Sequence, residues 1–210
     1  MRKLPIYILV DTSGSMRGEP IEAVKVGLKA LFKALQKDPY ALETAHVSVI
    51  TFDREARVLM PLTEVDKASL PEIPELQSSP TNLGEAMELL LSRYDMEVTR
   101  STPAVKGDWL PVAVVMTDGS PSDTLLFGRM CEAVKGYRFS RIIGCAAGPK
   151  ARQEPLSRFC TDVVALETMD SNSFSKFWQW VSQAFARQSQ SGSVVTEDLP
   201  PPPPELKITF

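Results

Sequence analysis

The chain has 210 residues, enough for one well-buried domain and tight for two. Its 43% hydrophobic and 23% charged content is ordinary for a globular protein, and a net charge of −3 with a pI near 5.4 gives no electrostatic reason to expect a nucleic acid partner. No apolar stretch approaches the ~18 residues of a membrane span, and no small-residue cleavage site follows a hydrophobic core near Met1, so neither a membrane partner nor a signal peptide is expected.

Leu4–Val10 is the first of four nearly continuous apolar runs; the others are Val47–Phe52, Val112–Met116 and Ile142–Ala147, with a weaker fifth at Val163–Leu166. Such runs suit strands covered on both faces, as in a mainly parallel sheet. Behind the first, Pro20 suits an initial helical turn, and Val24, Leu28, Leu31 and Leu35 form a helical stripe. Residues 54–62 alternate polar and apolar directly after the second run, which predicts a hairpin and an antiparallel edge strand. Residues 63–80, with Pro71, Pro74 and Pro80, predict a surface-wrapping connection into a second helix marked by Leu83, Met87, Leu90, Leu91 and Tyr94. Residues 95–111, with Pro103, Gly107, Trp109 and Pro111, form another long connection. Phe174, Phe177, Trp178, Val181 and Phe185 mark a last helix behind Ser171 and Ser173 as N-caps, and this aromatic stripe reads as core packing.

The alternation predicts an α/β, Rossmann-like three-layer sandwich with a mainly parallel six-stranded sheet and one antiparallel edge strand, spanning residues 1–188. Residues 189–210 read as a flexible Ser/Pro-rich C-terminal tail, with linker composition at Ser189–Ser193 and polyproline II favoured over Pro200–Pro204. Its end, Leu206–Phe210, alternates like a strand, and a second reading has it adding to a sheet edge on this molecule or a partner. Cys131, Cys145 and Cys160 are odd in number and lie in apolar surroundings, which reads as buried thiols in a reducing compartment and points to the cytoplasm.

The chemistry concentrates at strand ends. Ile8-Leu9-Val10 runs into Asp11, Ser13 and Ser15, and these alternate residues face one point only if the backbone curls as it leaves the strand. The result is a cluster of hard oxygen donors, the ligand type that Mg²⁺ prefers. In a doubly wound sheet ligands bind beyond the carboxyl ends of the strands. A second carboxylate, Asp118 in Met116-Thr117-Asp118-Gly119-Ser120-Pro121, is expected at the same edge, and Thr81 opens the second helix there. A plain reading of Thr81 is an N-cap, and of Asp11-x-Ser13-x-Ser15 alone a polar turn.

Asp11-x-Ser13-x-Ser15, then Thr81, then Thr117-Asp118-Gly119 resembles the metal-ion-dependent adhesion site (MIDAS) of von Willebrand factor type A (VWA) domains, a match over roughly residues 4–187. Pro80 departs from the glycine more usual before that threonine; proline fixes its own φ and biases Ser79 to extended geometry. A narrower resemblance joins Lys106-Gly107-Asp108-Trp109-x-Pro111, the Met116–Pro121 turn and Phe177-Trp178-Gln179-Trp180-Val181 to TerY-like proteins linked to bacterial tellurium resistance. The resemblance implies an octahedral Mg²⁺, with Mn²⁺ or Ca²⁺ as alternatives, held by Ser13, Ser15 and either Thr81 or Asp118, with Asp11 acting largely through water. An ion with so few charged ligands stays electrophilic toward an Asp or Glu of a protein partner. It further implies an interaction module of a stress-response system that works with a protein kinase and a phosphatase. Ser120, Ser122 and Thr124 are then candidate phosphorylation sites, although Ser122 is favoured as an N-cap. The alternative is an adaptor for an AAA-type ATPase.

Enzymatic readings fit less well. A haloacid-dehalogenase-type phosphohydrolase needs an acid two residues after the nucleophilic Asp, where this chain has Ser13. The spacing from Cys145 to Arg152 is one residue longer than a phosphate-cradling cysteine loop needs, and Cys145 lies in an apolar run. His46 is the only histidine, and it begins the second strand, at the edge away from Ser13 and Ser15. No catalytic residues are therefore assigned.

Overall fold

The computed structural model describes residues 2–74, 79–191, 203 and 206–209. Strands β1 (Leu4–Asp11), β2 (Ala45–Phe52), β3 (Ala56–Glu64), β4 (Val112–Thr117), β5 (Arg141–Ala147), β6 (Asp162–Leu166) and β7 (Lys207–Thr209) form one sheet in the order β3-β2-β1-β4-β5-β6-β7. Neighbours from β2 to β6 pair in parallel, whereas β3 and β7 run antiparallel at the two edges. The helices are α1 (Glu19–Lys37), α2 (Pro39–Thr44), α3 (Leu83–Glu97), α4 (Thr124–Ala133), α5 (Glu154–Ser157) and α6 (Ser171–Ser191).

Three layers follow from the pleat of β1, all of whose residues are buried. Ile6, Ile8 and Val10 point into a core shared with α1 and α6, while Tyr7 and Leu9 point into one shared with α3 and α4. β4 repeats the pattern, with Val114 and Met116 on the first face and Ala113 and Val115 on the second. The last helix is held by its aromatic stripe: Phe174, Phe177, Trp178, Val181 and Phe185 are all at most 1% exposed, so they pack a core. Trp178 lies close enough to α1 that a Cβ at Gly27 would come within 2.2 Å of its Cδ1, so Gly27 sets the α1–α6 separation.

The six expected strands and three expected principal helices are present, and the differences are local. β7 adds a short seventh strand by pairing Lys207–Thr209 with Val163–Ala165, so the chain's end does add to a sheet edge of this molecule. α6 continues to Ser191, beyond the expected domain end at 188. The expected linker past that point and most of the proline run lie outside the described residues. α2 is set by Asp38, whose carboxylate accepts the Ala41 N–H at 2.8 Å. Asp170, rather than Ser171 or Ser173, supplies the acceptor at the start of α6, taking the Ser173 N–H at 2.9 Å.

Both long connections are anchored. After β3, Val65, Ala68 and Ile73 are buried, and Gln36 on α1 donates to the carbonyls of Val65 (2.9 Å) and Ala68 (3.2 Å). The Lys106–Trp109 motif clasps the amino end of β1. Asp108 accepts the Thr99 N–H at 2.7 Å and lies 3.5 Å from Lys3 Nζ, while the Trp109 N–H donates to the Lys3 carbonyl at 3.0 Å. This motif is therefore structural and sits at the edge opposite the carboxyl ends of the strands.

Candidate metal centre at the carboxyl edge

β1, β2, β4 and β5 are parallel, so the turns that follow them emerge on one side of the sheet. Asp11 ends β1 with its side chain fully buried. Its Oδ1 accepts the Ser13 N–H at 2.8 Å, a local bond that bends the chain off the strand axis and into the short turn Gly14–Met16. Its Oδ2 accepts the Thr117 hydroxyl at 2.6 Å, which ties the end of β1 to the end of β4. Ser13 Oγ lies 3.3 Å from Ser15 Oγ, and Ser15 Oγ donates to Asp118 Oδ1 at 2.8 Å. Asp11, Ser13, Ser15 and Asp118 are thus linked in one hydrogen-bonded string, through the Ser13 N–H at the Asp11 end and through hydroxyls beyond it, buried at Asp11 and exposed at Ser15.

Thr81 arrives from the third loop and is 7% exposed. Its N–H donates to Ser122 Oγ at 3.1 Å, and its carbonyl accepts the Ser122 N–H at 2.8 Å. A Cβ on Gly119 would lie 3.1 Å from Thr81 Oγ1, so the threonine hydroxyl sits against the turn that carries Asp118. With Pro80 before it, Thr81 still places its hydroxyl against the Gly119 backbone, next to Asp118 in the chain. Thr81 is not an N-cap: Asn82 holds that position without a capping bond, and Asp123 instead accepts the N–H groups of Gly84 (3.1 Å) and Glu85 (2.8 Å). The expected N-cap role of Ser122 on α4 is likewise corrected. Asp123 occupies that position, and Ser122 is spent on Thr81.

Several residues that shape the site carry no role in the sequence reading. Thr117 orients Asp11, and its Oγ1 also accepts the Gly119 N–H at 3.1 Å. Asp53 is 3% exposed; Thr12 Oγ1 lies 3.0 Å from its Oδ2, Ser79 Oγ donates to its Oδ1 at 3.3 Å, and its carbonyl takes the Asn82 N–H at 2.8 Å. It braces the first loop against the third. The signal for it was available, because Thr51-Phe52-Asp53 repeats the pattern of an apolar run ending in a carboxylate.

Burial pushes the Asp11 carboxyl up to about 6; the hydrogen bonds from Ser13 and Thr117 pull against that, and the charge of Asp118 adds to it. Burial raises Asp118 as well, with the Ser15 hydroxyl opposing. Two raised carboxyls at one edge are a donor set whose charge a hard divalent ion would balance. The donors are oxygens throughout, which fits Mg²⁺. Among the described residues no three His, Cys, Asp or Glu side chains cluster as a metal site. This donor set depends instead on hydroxyls.

The profile of the von Willebrand factor type A domain matches residues 6–177. The chain belongs to that family. Chicken (Gallus gallus) matrilin-3 is 30% identical over 126 residues, covering 58% of this chain and 27% of that protein. Among solved structures, the VWA domain is similar to a von Willebrand factor type A protein from Catenulispora acidiphila at 16% identity and TM-score 0.67, over 90% of this chain and 43% of that one. The PilB minor pilin from Streptococcus sanguinis superposes with TM-score 0.71 at 12% identity, covering 91% and 63% of the two chains. Proximal thread matrix protein 1 from the mussel byssus, with zinc in its MIDAS, has TM-score 0.62 and 14% identity, covering 88% and 48%. The VWA domain thus spans less than two thirds of each of these proteins, and the structural likenesses establish the fold alone.

Residues proposed for catalysis in other readings are badly placed in this VWA domain. His46 pairs opposite Pro5, whereas Asp11 pairs opposite Phe52, so about 20 Å of strand separates the imidazole from the site. Its Nδ1 lies 3.1 Å from the Thr44 carbonyl. Cys145 is fully buried and Arg152 is exposed, so no phosphate cradle joins them. Cys131 is buried and Cys160 half-buried, and burial raises all three thiols.

Proposed function

We propose that this VWA domain is a Mg²⁺-dependent protein-interaction module in which Ser13, Ser15, Thr81 and Asp118 hold the ion, Asp11 orients it, and a partner's Asp or Glu completes the shell. The observation that supports this most directly is the string Asp11–Ser13–Ser15–Asp118, anchored in the core at one end and open to solvent at the other. The reading is non-catalytic: both Asp11 oxygens are engaged and buried, so the side chain is held as a fixed acceptor, and Ser13 stands where a catalytic acid is needed. Within this reading the domain is cytoplasmic and serves a TerY-like tellurium-resistance or stress system together with a kinase and a phosphatase. Ser120 and Thr124 are exposed beside the site, where a phosphate's charge competes with the partner carboxylate. Ser122 modification acts differently, because it disrupts the hydroxyl that accepts the Thr81 N–H.

The test is affinity capture from the source cell with wild type, Asp11→Ala and Asp118→Ala, each in Mg²⁺ and in chelator. Metal-dependent prey are expected only with wild type, with all three proteins folded. A kinase or phosphatase among them supports the stress-system reading and a ring ATPase the adaptor. Prey indifferent to both metal and mutation overturn the metal-dependent reading.

A further inference from the structure

The rim of the metal centre is charged in a way the centre itself does not require. Arg17 follows the first loop, Arg54 follows β2, and Lys150 and Arg152 follow β5. All four are exposed, and their side chains make no hydrogen bond or ion pair among the described residues. Several carboxylates of the same edge are occupied. Asp53 accepts Arg54's own N–H, Asp123 caps α3, Asp170 caps α6 and Glu55 pairs with Arg57 at 2.9 Å. Asp53, Asp123 and Asp170 are thus turned toward backbone N–H groups, and exposed Glu19, Glu154 and Glu167 stand among the outward cations, which have no side-chain partner among the described residues.

Their positions are held although their side chains are not. The Arg54 N–H donates to Ser79 Oγ at 2.9 Å, and the Arg54 carbonyl accepts Asn82 Nδ2 at 2.8 Å. Lys150 lies in a turn closed by the Ala151 N–H on the Gly148 carbonyl at 3.1 Å, with the Gly148 N–H on the Leu166 carbonyl at 2.9 Å. In the order β2-β1-β4-β5, the metal centre lies over β1 and β4, and the cationic loops lie outside it on both sides. Three strand spacings separate β2 from β5, about 14 Å, which an extended peptide covers in about five residues.

We propose that the partner segment is an extended acidic peptide: a central carboxylate completes the metal shell, and acidic residues about two positions to either side meet Arg54 on one flank and Lys150 and Arg152 on the other, with Arg17 between. This rests on the metal-dependent reading above and specifies its ligand. Rim charges act mainly through screened Coulomb attraction, each worth about two- to fivefold in affinity at low salt.

The experiment is an NMR titration of the full chain with three probes of equal length. These are a Gly/Ser peptide with one central Asp, the same peptide with Glu two residues to each side, and an RNA oligonucleotide. Each is added in Mg²⁺ and in chelator, to wild type and to the Arg17→Gln/Arg54→Gln/Lys150→Gln/Arg152→Gln variant. Expected are Mg²⁺-dependent binding of both peptides, at least about tenfold tighter binding of the triacidic one to wild type, and loss of that gap in the variant with the single-Asp affinity unchanged. Equal affinities for the two peptides, or a gap that survives in the variant, overturn the acidic-segment proposal while leaving the metal reading standing. Binding of both peptides unaffected by chelator overturns the metal reading itself. RNA that displaces the triacidic peptide at equal concentration overturns the assignment to a peptide.

Discussion

Replacing Asp11 with Asn should remove metal binding and yet make the metal-free protein more stable at neutral pH. Asp11 is fully buried, and burial raises its carboxyl from the ordinary 3.8 to about 6. Because the folded-state pKa is raised, the group binds its proton more tightly folded than unfolded. Its contribution to stability is fully present below 3.8 and is lost as pH rises through about 6. The interval between 3.8 and about 6 corresponds to a deficit of about 3 kcal/mol once the carboxylate is ionised. Asn keeps an acceptor for the Ser13 N–H and gives Thr117 Oγ1 an N–H to accept, while the Thr117 hydroxyl turns toward the Gly119 carbonyl 3.4 Å away. Urea unfolding in chelator should therefore show Asp11→Asn more stable than wild type by about 1–3 kcal/mol at pH 7.5 and by less than about 1 kcal/mol near pH 4. Saturating Mg²⁺ should reverse the order by stabilising wild type alone, by about 4.1 kcal/mol at a thousandfold excess over Kd. A variant less stable than wild type in chelator at pH 7.5, or a difference that does not change with pH, refutes the argument.

Three further substitutions test the packing around the site. Gly119→Ala places a methyl 3.1 Å from Thr81 Oγ1, so metal affinity measured by calorimetry should fall several-fold with little change in melting temperature. Asp123→Ala leaves the Gly84 and Glu85 N–H groups without their acceptor, and thermal melts should report a loss of about 0.5–2 kcal/mol. Gly27→Ala drives a methyl into the Trp178 ring, and its overpacking cost of about 1–3 kcal/mol should outweigh a helix-propensity gain of at most about 1 kcal/mol in denaturant unfolding.

The strands of this fold were legible because both faces of the parallel ones are buried, and burial on two faces leaves a continuous apolar run too short for an ordinary helix. Asp11 and Asp118 were legible for the same reason, since each breaks such a run with a carboxylate. What the sequence did not show is long-range bonding between loops. Asp123 caps α3 from 38 residues away and went unread, and Ser122 holds Thr81 across 41, whereas local spacing made Ser122 and Thr81 caps of the helices that follow them. α2 and α5, with six and four residues, are too short for a periodic stripe. β7 has three residues and exists only because β6 offers an edge to pair with.

The bonds from Asp123 to Gly84 and Glu85 have a practical consequence. The opening N–H groups of a helix lack intrahelical acceptors and ordinarily trade their hydrogens for deuterium quickly. In α3 two of them are tied to a residue five positions beyond Asp118, on the same turn that carries the metal centre. Their exchange rates therefore gauge, without any label or ligand, how often that turn leaves its seat. A metal that draws Asp118 and Thr81 together should slow those two amides while leaving the middle of α3, already protected by its own ladder, unchanged.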